Sequence, residues 1–311
     1  MTRVAAIDCG TNSLRLLVAD IDPRSGDTVQ LDRRTTIVRL GQDIDRTGVF
    51  ADAALARTFA TLADYARIID GLEVEAVRLV ATSAARDAGN RERFLAGVRA
   101  RIGVDAEILT GAEEARLSYD GATRRLVDRP EIAPPILVVD IGGGSTEFVI
   151  RLSASDEIDG ESVDVGSVRL TERHLVGDPP TKPQVDAVVA DVDAALASLR
   201  LPLDTVGTLV GVAGTITTLA AMVLDLPTYD RERVNEAWLA SSDVLATIDR
   251  VVAMSVARRR ALPFMHPDRA DVIGAGALVL GGVVRRIGLA ELLVSSHDIL
   301  DGVAWSLLPR G

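Results

Sequence analysis

The 311-residue chain has one lysine, one cysteine and three histidines, and each scarcity removes a class of chemistry. Lys182 is the only lysine and no G-x-x-x-x-G-K-[ST] run occurs, so a lysine-bearing P-loop is excluded. Cys9 alone can form neither an intrachain disulfide nor an all-cysteine metal site. His174, His266 and His297 add too little for a zinc cluster. No apolar run reaches the roughly 18 residues that a membrane span needs. The first residues, Met1-Thr-Arg-Val-Ala-Ala-Ile-Asp8, run straight into an apolar strand and an acid, without the core or cleavage site of a signal peptide. The expectation is a cytoplasmic protein with no membrane partner.

Hydrophobic residues make up 48% and charged residues 25%, an ordinary globular balance in a chain long enough for two domains. The net charge of −11 argues against a nucleic-acid partner, because phosphate contacts need a basic surface. A protein this acidic can handle a polyanion only through local cations: arginines, backbone amides or a metal ion. The excess of arginine over lysine is also what a GC-rich genome produces.

Strand and helix patterns alternate along the chain. Residues 4–7 and 14–19 read as apolar strands joined by a Gly-containing turn, and 28–40 as one or two further strands. Residues 53–69, 91–102 and 112–126 read as helices, with strands at 76–81 and 104–108 between them. The turn-rich stretch Asp128-Arg-Pro-Glu-Ile-Ala-Pro-Pro135 interrupts this pattern and places a domain boundary after residue 131. A strand at 136–139 restarts it, followed by a solvated amphipathic helix at 184–199, a strand at 209–212 and helices at 215–224 and 270–287.

The most informative feature is an internal repeat. Val4-Ala-Ala-Ile-Asp-Cys-Gly-Thr-Asn-Ser-Leu-Arg-Leu-Leu-Val18 aligns without gaps on Ile136-Leu-Val-Val-Asp-Ile-Gly-Gly-Gly-Ser-Thr-Glu-Phe-Val-Ile150. Asp8 falls on Asp140, Gly10 on Gly142 and Ser13 on Ser145, at a constant offset (140 − 8 = 132). A strand–acid–Gly-turn–Ser–strand unit used twice predicts two similar halves facing each other.

Each copy has the composition of a phosphate-binding hairpin. Gly10, and Gly142, Gly143 and Gly144, let the backbone turn sharply, and consecutive amides in such a turn form an anion nest. Thr11, Asn12, Ser13, Ser145 and Thr146 add neutral donors; a plain tight hairpin is the alternative reading. Asp8 and Asp140 end their strands beside these turns. A carboxylate next to a phosphate requires a cation between them, hence Mg²⁺ with Mn²⁺ as a substitute, unless each Asp only stabilises its turn. Glu147 lies on the same strand face as Ser145, as a second metal-linked acid or a water-orienting group, or else as an exposed strand glutamate.

Three further motifs stand at element junctions. In Thr110-Gly-Ala-Glu-Glu-Ala-Arg-Leu117, Thr110 and Glu113 fit a helix capping box, which leaves Glu114 to point elsewhere as a candidate general base. In Ala81-Thr-Ser-Ala-Ala-Arg-Asp-Ala-Gly-Asn90, Arg86 can grip phosphate oxygens or pair on the surface with Asp87 or Glu92. In Gly211-Val-Ala-Gly-Thr-Ile-Thr-Thr218, Gly214 and Thr215 open a helix whose N-terminus can receive an anion, although tight strand–helix packing explains a lone glycine there equally well.

Taken together, these motifs resemble the exopolyphosphatase and guanosine pentaphosphate phosphohydrolase family, within the actin, Hsp70 and sugar-kinase superfamily. The resemblance covers essentially the whole chain and is similar to the short, two-domain members. It rests on five motifs in the family's order: Ile7-Asp-Cys-Gly-Thr-Asn-Ser-Leu-Arg-Leu16, Ala81 to Asn90, Gly111-Ala-Glu-Glu-Ala-Arg116, Val139-Asp-Ile-Gly-Gly-Gly-Ser-Thr-Glu147 and Gly211-Val-Ala-Gly-Thr215. It implies an α/β fold of two actin-like (ribonuclease H-like) domains, with mixed sheets flanked by helices and an active-site cleft between them. The domains would be 1–131 and 132–298, with 299–311 crossing back to the first. It implies Glu114 as catalytic base, Asp140, Glu147 and Asp8 as metal-associated acids, and Arg86 as the phosphate-gripping arginine. Thr11, Asn12, Ser13, Gly142, Gly143, Gly144, Ser145, Gly214 and Thr215 would bind phosphate. Ser295-Ser-His-Asp-Ile-Leu-Asp-Gly302 departs from the pattern, lacking the family's Arg-Glu pair.

The implied activity is metal-dependent hydrolysis of the terminal phosphoanhydride of inorganic polyphosphate, by a cytoplasmic homodimer. Guanosine pentaphosphate is the rival substrate. A phosphotransferase and a non-hydrolytic actin-like nucleotide-binding protein, such as a filament or sensor, are the rivals in other classes.

Overall fold

The computed structural model describes residues 1–24, 26–126, 129–152 and 158–308. Asp128 of the turn-rich stretch, and residues 309–311, lie outside the described residues. The chain divides into two compact units, one made of Met1–Gly121 with Ile299–Gly311, the other of Ala122–Asp298.

In the first unit, β1 (Thr2–Cys9) turns into β2 (Ser13–Ile21), antiparallel to it, with Asp8 directly opposite Arg15. The stretch 28–40 forms a single strand, β3 (Thr28–Ile37), antiparallel to β2. After α1 (Ile44–Thr47) and α2 (Asp52–Gly71), β4 (Ala76–Ala81) joins the other side of β1 in parallel. α3 (Ser83–Asp87) and α4 (Arg91–Ile102) lead to β5 (Ala106–Ile108), parallel to β4, and then α5 (Gly111–Thr123). The sheet order is β3-β2-β1-β4-β5. From Val4 to Cys9 β1 is fully buried, so both faces of the sheet must be covered. Ala5, Ile7 and Cys9 lie in one apolar layer with Leu55, Leu62 and Phe94 from α2 and α4.

The second unit repeats this plan. β6 (Ile136–Ile141), β7 (Thr146–Arg151) and β8 (Ile158–Val163) are successive antiparallel neighbours. α6 (Ser167–His174) and α7 (Lys182–Ser198) follow, then β9 (Thr208–Val212), parallel to β6, and α8 (Ala213–Val223). α9 (Arg231–Val234), β10 (Trp238–Ala240), α10 (Ser241–Ala253) and α11 (Val256–Arg260) come next. α12 (Ile273–Ile287) is buried from Ile273 to Val284, which accounts for its near-continuous apolar sequence. β11 (Glu291–Val294) pairs in parallel with β9 and carries β10 on its outer side. The order β10-β11-β9-β6-β7-β8 contains the first unit's sheet, three antiparallel strands followed by two parallel ones, with β10 added at the edge. The expected α/β class, two mixed actin-like sheets flanked by helices, is what the chain forms.

α13 (Ile299–Ser306) belongs to the first unit. Its Ile299, Leu300, Val303, Ala304 and Trp305 cover Val4, Ala6, Leu17, Ala19 and Ile21, the sheet face opposite α2 and α4. Gly302 is required there, because a side chain would run into the main chain of Leu117. In the segment that departs from the family pattern, Leu300 is buried in this layer and Asp301 makes a two-bond ion pair with Arg33 of β3, at 2.6 and 3.1 Å. Among the described residues no helix is long and apolar enough to cross a membrane.

Candidate active site

In the first unit the β1–β2 turn is closed by the Gly10 amide donating to the Ser13 carbonyl. The segment after β3 then ties down the turn's carbonyls. Val38 and Arg39 N–H donate to Asn12 O, at 3.0 and 2.9 Å, and Gly41 N–H donates to Thr11 O at 2.8 Å. Gly41 admits this approach, since a Cβ there would collide with the Thr11 methyl. Thr11 is buried, Asn12 and Ser13 half-buried. Asp8 and Arg15, as cross-strand partners, meet on one sheet face. Both Nε (2.8 Å) and Nη2 (2.5 Å) of Arg15 donate to Asp8 Oδ2, and Asp8 is 3% exposed. Burial first, then the Asp8 charge, pushes the neighbouring Cys9 thiol well above its ordinary range.

Glu114 is set by the start of α5. The Thr110 amide and hydroxyl both donate to Glu113 Oε2 at 2.8 Å, and the Glu113 amide reaches back to Thr110 Oγ1 at 3.2 Å. Those two donors, the amide first, hold the Glu113 carboxyl below the usual carboxylate range. With Glu113 spent on the cap, Glu114 turns inward and is buried. Its Oε2 accepts from Arg86 Nη1 at 2.5 Å, and the same nitrogen donates to Leu109 O at 3.0 Å. Arg86 therefore finds its carboxylate 28 residues away in the chain, on Glu114.

In the second unit the Gly142 amide closes the β6–β7 turn on the Ser145 carbonyl, and here too the turn's carbonyls are tied down. The first turn of α6 does it: Ser167 N–H donates to Gly142 O, and Val168 and Arg169 N–H donate to Gly143 O, at 2.8 to 3.1 Å. Arg169 Nε adds a bond to Gly144 O at 2.7 Å. Gly166 makes the close approach possible, since a Cβ there would stand 2.5 Å from Gly143 O. Asp140 lies directly opposite Glu147, and both are buried. Ser145 Oγ and Ser162 Oγ donate to the same Glu147 oxygen, at 2.6 and 2.8 Å, an arrangement that an ionised carboxylate accepts.

Gly214 and Thr215 sit in a more crowded place. Ala213 takes a left-handed conformation (φ 69°) between β9 and α8. Arg269 lies over Gly214 and donates to Gly214 O (3.0 Å) and Thr218 Oγ1 (2.9 Å). Thr215 is buried where Gly276 of α12 has no side chain.

A family model described as the Ppx/GppA phosphatase family matches residues 17–311. The chain belongs to that family. It is 46% identical over 320 residues to Exopolyphosphatase 2 of Mycobacterium tuberculosis, covering 99% of each protein. Among solved structures it is similar to an exopolyphosphatase-like protein (TM-score 0.92, 39% identity, 97% of each chain covered). It is also similar to the Aquifex aeolicus Ppx/GppA family member (TM-score 0.80, 31% identity, 98% of this chain and 97% of that one).

In this Ppx/GppA member the structure pairs Asp8 with Arg15, Glu114 with Arg86, and Ser145 with Glu147, and it sets Asp140 opposite Glu147. Sequence reasoning missed Arg15, Gly41, Ser162, Gly166 and Arg169. Arg15 alone had a signal, since the repeat puts it at the place of Glu147 (147 − 132 = 15). Among the described residues no group of three or more His, Cys, Asp or Glu is placed to hold a metal. A hard divalent cation would find two candidate carboxylates in Asp140 and Glu147, which oppose each other and are buried.

Proposed function

We propose that the chain is an exopolyphosphatase that releases phosphate from the end of inorganic polyphosphate by Mg²⁺-dependent attack of water. The observation that carries this reading is the β6–β7 turn, whose carbonyls are engaged by α6 and Arg169 while two buried acids oppose each other beside it. With its carbonyls engaged, such a turn has its amide edge to offer an anion. The end-to-end likeness to Exopolyphosphatase 2 narrows the anion to polyphosphate.

In this proposal the amides of Gly143 and Gly144 hold non-bridging oxygens, Gly142 and Ser145 shape the turn that presents them, with the Gly142 amide on the Ser145 carbonyl and the Ser145 hydroxyl on Glu147, and Thr11, Asn12 and Ser13 bind phosphate in the other copy. Asp140 and Glu147 would hold Mg²⁺, which supplies charge neutralisation at phosphoryl oxygens. Arg86 is drawn to phosphate, and Glu114, relieved of that guanidinium, takes the proton of the attacking water. Gly214 and Thr215 would serve a more distant phosphate only if Arg269 moves. A cytoplasmic homodimer completes the proposal.

The test is phosphate release from polyphosphates of defined length and from guanosine pentaphosphate, separately and in competition, with and without Mg²⁺. Mg²⁺-dependent release from polyphosphate, weakly inhibited by guanosine pentaphosphate, supports the proposal. Release from guanosine pentaphosphate alone replaces the substrate, and a phosphorylated acceptor in place of free phosphate replaces the reaction.

A further inference from the structure

Three consecutive carbonyls of the β6–β7 turn point into α6, and its first three residues hold all of them. Gly142 O accepts from Ser167 N–H (3.0 Å) and Oγ (3.3 Å), and Gly143 O from Val168 and Arg169 N–H (2.8 and 3.1 Å). Gly144 O accepts from Arg169 Nε at 2.7 Å. A trans peptide sends its N–H opposite its C=O. The amides of Gly143, Gly144 and Ser145 therefore point away from α6, in a row. None of the three donates a hydrogen bond among the described residues, although Ser145 is only 2% exposed. A buried amide left unbonded is costly, which marks the row as the place of an acceptor from outside the chain.

Peptides in a run of glycines turn over easily, because no side chain resists either orientation. A turned peptide would aim its carbonyl oxygen where its N–H now points, and would repel an anion there. What locks each peptide therefore matters. Main-chain donors hold the 142–143 and 143–144 peptides. The 144–145 peptide differs: among the described residues no main-chain N–H reaches Gly144 O, and the Arg169 side chain takes that place. The first turn shows the alternative. Its equivalent carbonyl, Asn12 O, is held by two main-chain amides, those of Val38 and Arg39, at 3.0 and 2.9 Å. The second turn leaves to one side chain, itself 10% exposed, what the first does with backbone. A charged donor also polarises the peptide it binds, which strengthens the N–H at the other end.

We infer that Arg169 is a positioning residue for phosphate. It acts through the Gly144–Ser145 peptide and fixes the Ser145 amide as a third donor, beside those of Gly143 and Gly144. It does this without itself touching the anion. The inference rests on the reading of this turn as a phosphate site under the proposed function.

The experiment is a magnetic-resonance titration of the full chain, labelled with ¹³C-carbonyl glycine and ¹⁵N-serine, with inorganic phosphate in Mg²⁺ buffer as probe. Only two Gly–Ser peptides occur in the sequence, Gly144–Ser145 and Gly166–Ser167, so a carbonyl-filtered amide spectrum holds two signals. Ser167, already bonded to Gly142 O, is the internal control. Phosphate should move the Ser145 signal downfield and leave Ser167 nearly in place. Arg169→Gln should remove most of that movement and weaken phosphate binding, measured by calorimetry, by roughly ten- to a hundredfold, the worth of one hydrogen bond to a charged group. Arg169→Lys, which keeps a charged donor of different shape, should restore part of both. If Arg169→Gln does not fold, judged by circular dichroism, the partial response of Arg169→Lys carries the test. Phosphate binding that leaves Ser145 unmoved, no phosphate binding by wild type, or a full response in Arg169→Gln (or in Arg169→Lys where it stands in) overturns the inference. Phosphate release from polyphosphate by wild type is scored separately. Release with Ser145 unmoved refutes the inference and leaves the function standing, and the expected titrations without release do the reverse.

Discussion

β4, α3 and α5 bring the Arg86 guanidinium onto the Glu114 carboxylate, 28 positions on in the chain. Under the proposed function, Glu114 would be a base held by a cation that phosphate competes for. Replacing Glu114 by Gln keeps a hydrogen-bond acceptor for Arg86 and removes the proton acceptor. Turnover should fall by roughly 10²–10⁴-fold with KM little changed, since a positioned general base supplies about that much. Steady-state phosphate release measures it, and a fully active Gln variant removes Glu114 from the mechanism. Arg86 and Glu114 are each legible in sequence, but the local neighbours Asp87 and Glu92 hide their meeting; Asp8 shows the opposite kind of limit. The repeat marks it as an acid beside a phosphate turn, but only the strand register shows that Arg15 already neutralises it.

Helix starts carry a stronger local signal than sheet edges. The Thr110–Glu113 box is a local pattern with a local cause, and α5 begins at it. Its contribution has a pH signature. Glu113 ionises below the ordinary carboxylate range when folded, so near that range the folded chain binds fewer protons than the unfolded one. The stability it adds is complete above the ordinary range and is lost as pH falls through the depressed value. Thr110→Ala should therefore lower stability by about 1 kcal/mol near neutral pH, and the gap to wild type should narrow, without vanishing, as pH drops toward about 3, because the hydroxyl–carboxylate bond is lost on protonation while the Glu113 amide's bond to Thr110 Oγ1 is not. Denaturant titrations of the two proteins across that range check this; a constant gap contradicts it. β10 and β11, by contrast, are short, and nothing periodic marks them in the sequence. α6 escapes a sequence reading for another reason: its first turn donates N–H groups to a loop 25 residues earlier, a relation without local signal.

For the whole molecule, the constant offset of 132 implies two similar halves, and the two sheets share a strand order. Fifteen aligned residues sufficed because apolar alternation, a strand-ending acid and a turn glycine together specify one hairpin, and the hairpin seeds each sheet. What the offset could not convey is divergence inside the frame: a cation at 15 against an anion at 147, or Arg269 lying over Gly214. Those depend on which side chains the third dimension brings together.

The central claim is that water attacks the terminal phosphorus of a polyphosphate chain. A single-turnover reaction in ¹⁸O-enriched water, with products separated by mass, tests it most directly. The expected result is one solvent oxygen in each released phosphate and none in the shortened chain. Label at the new chain end, or cleavage without free phosphate, would contradict it.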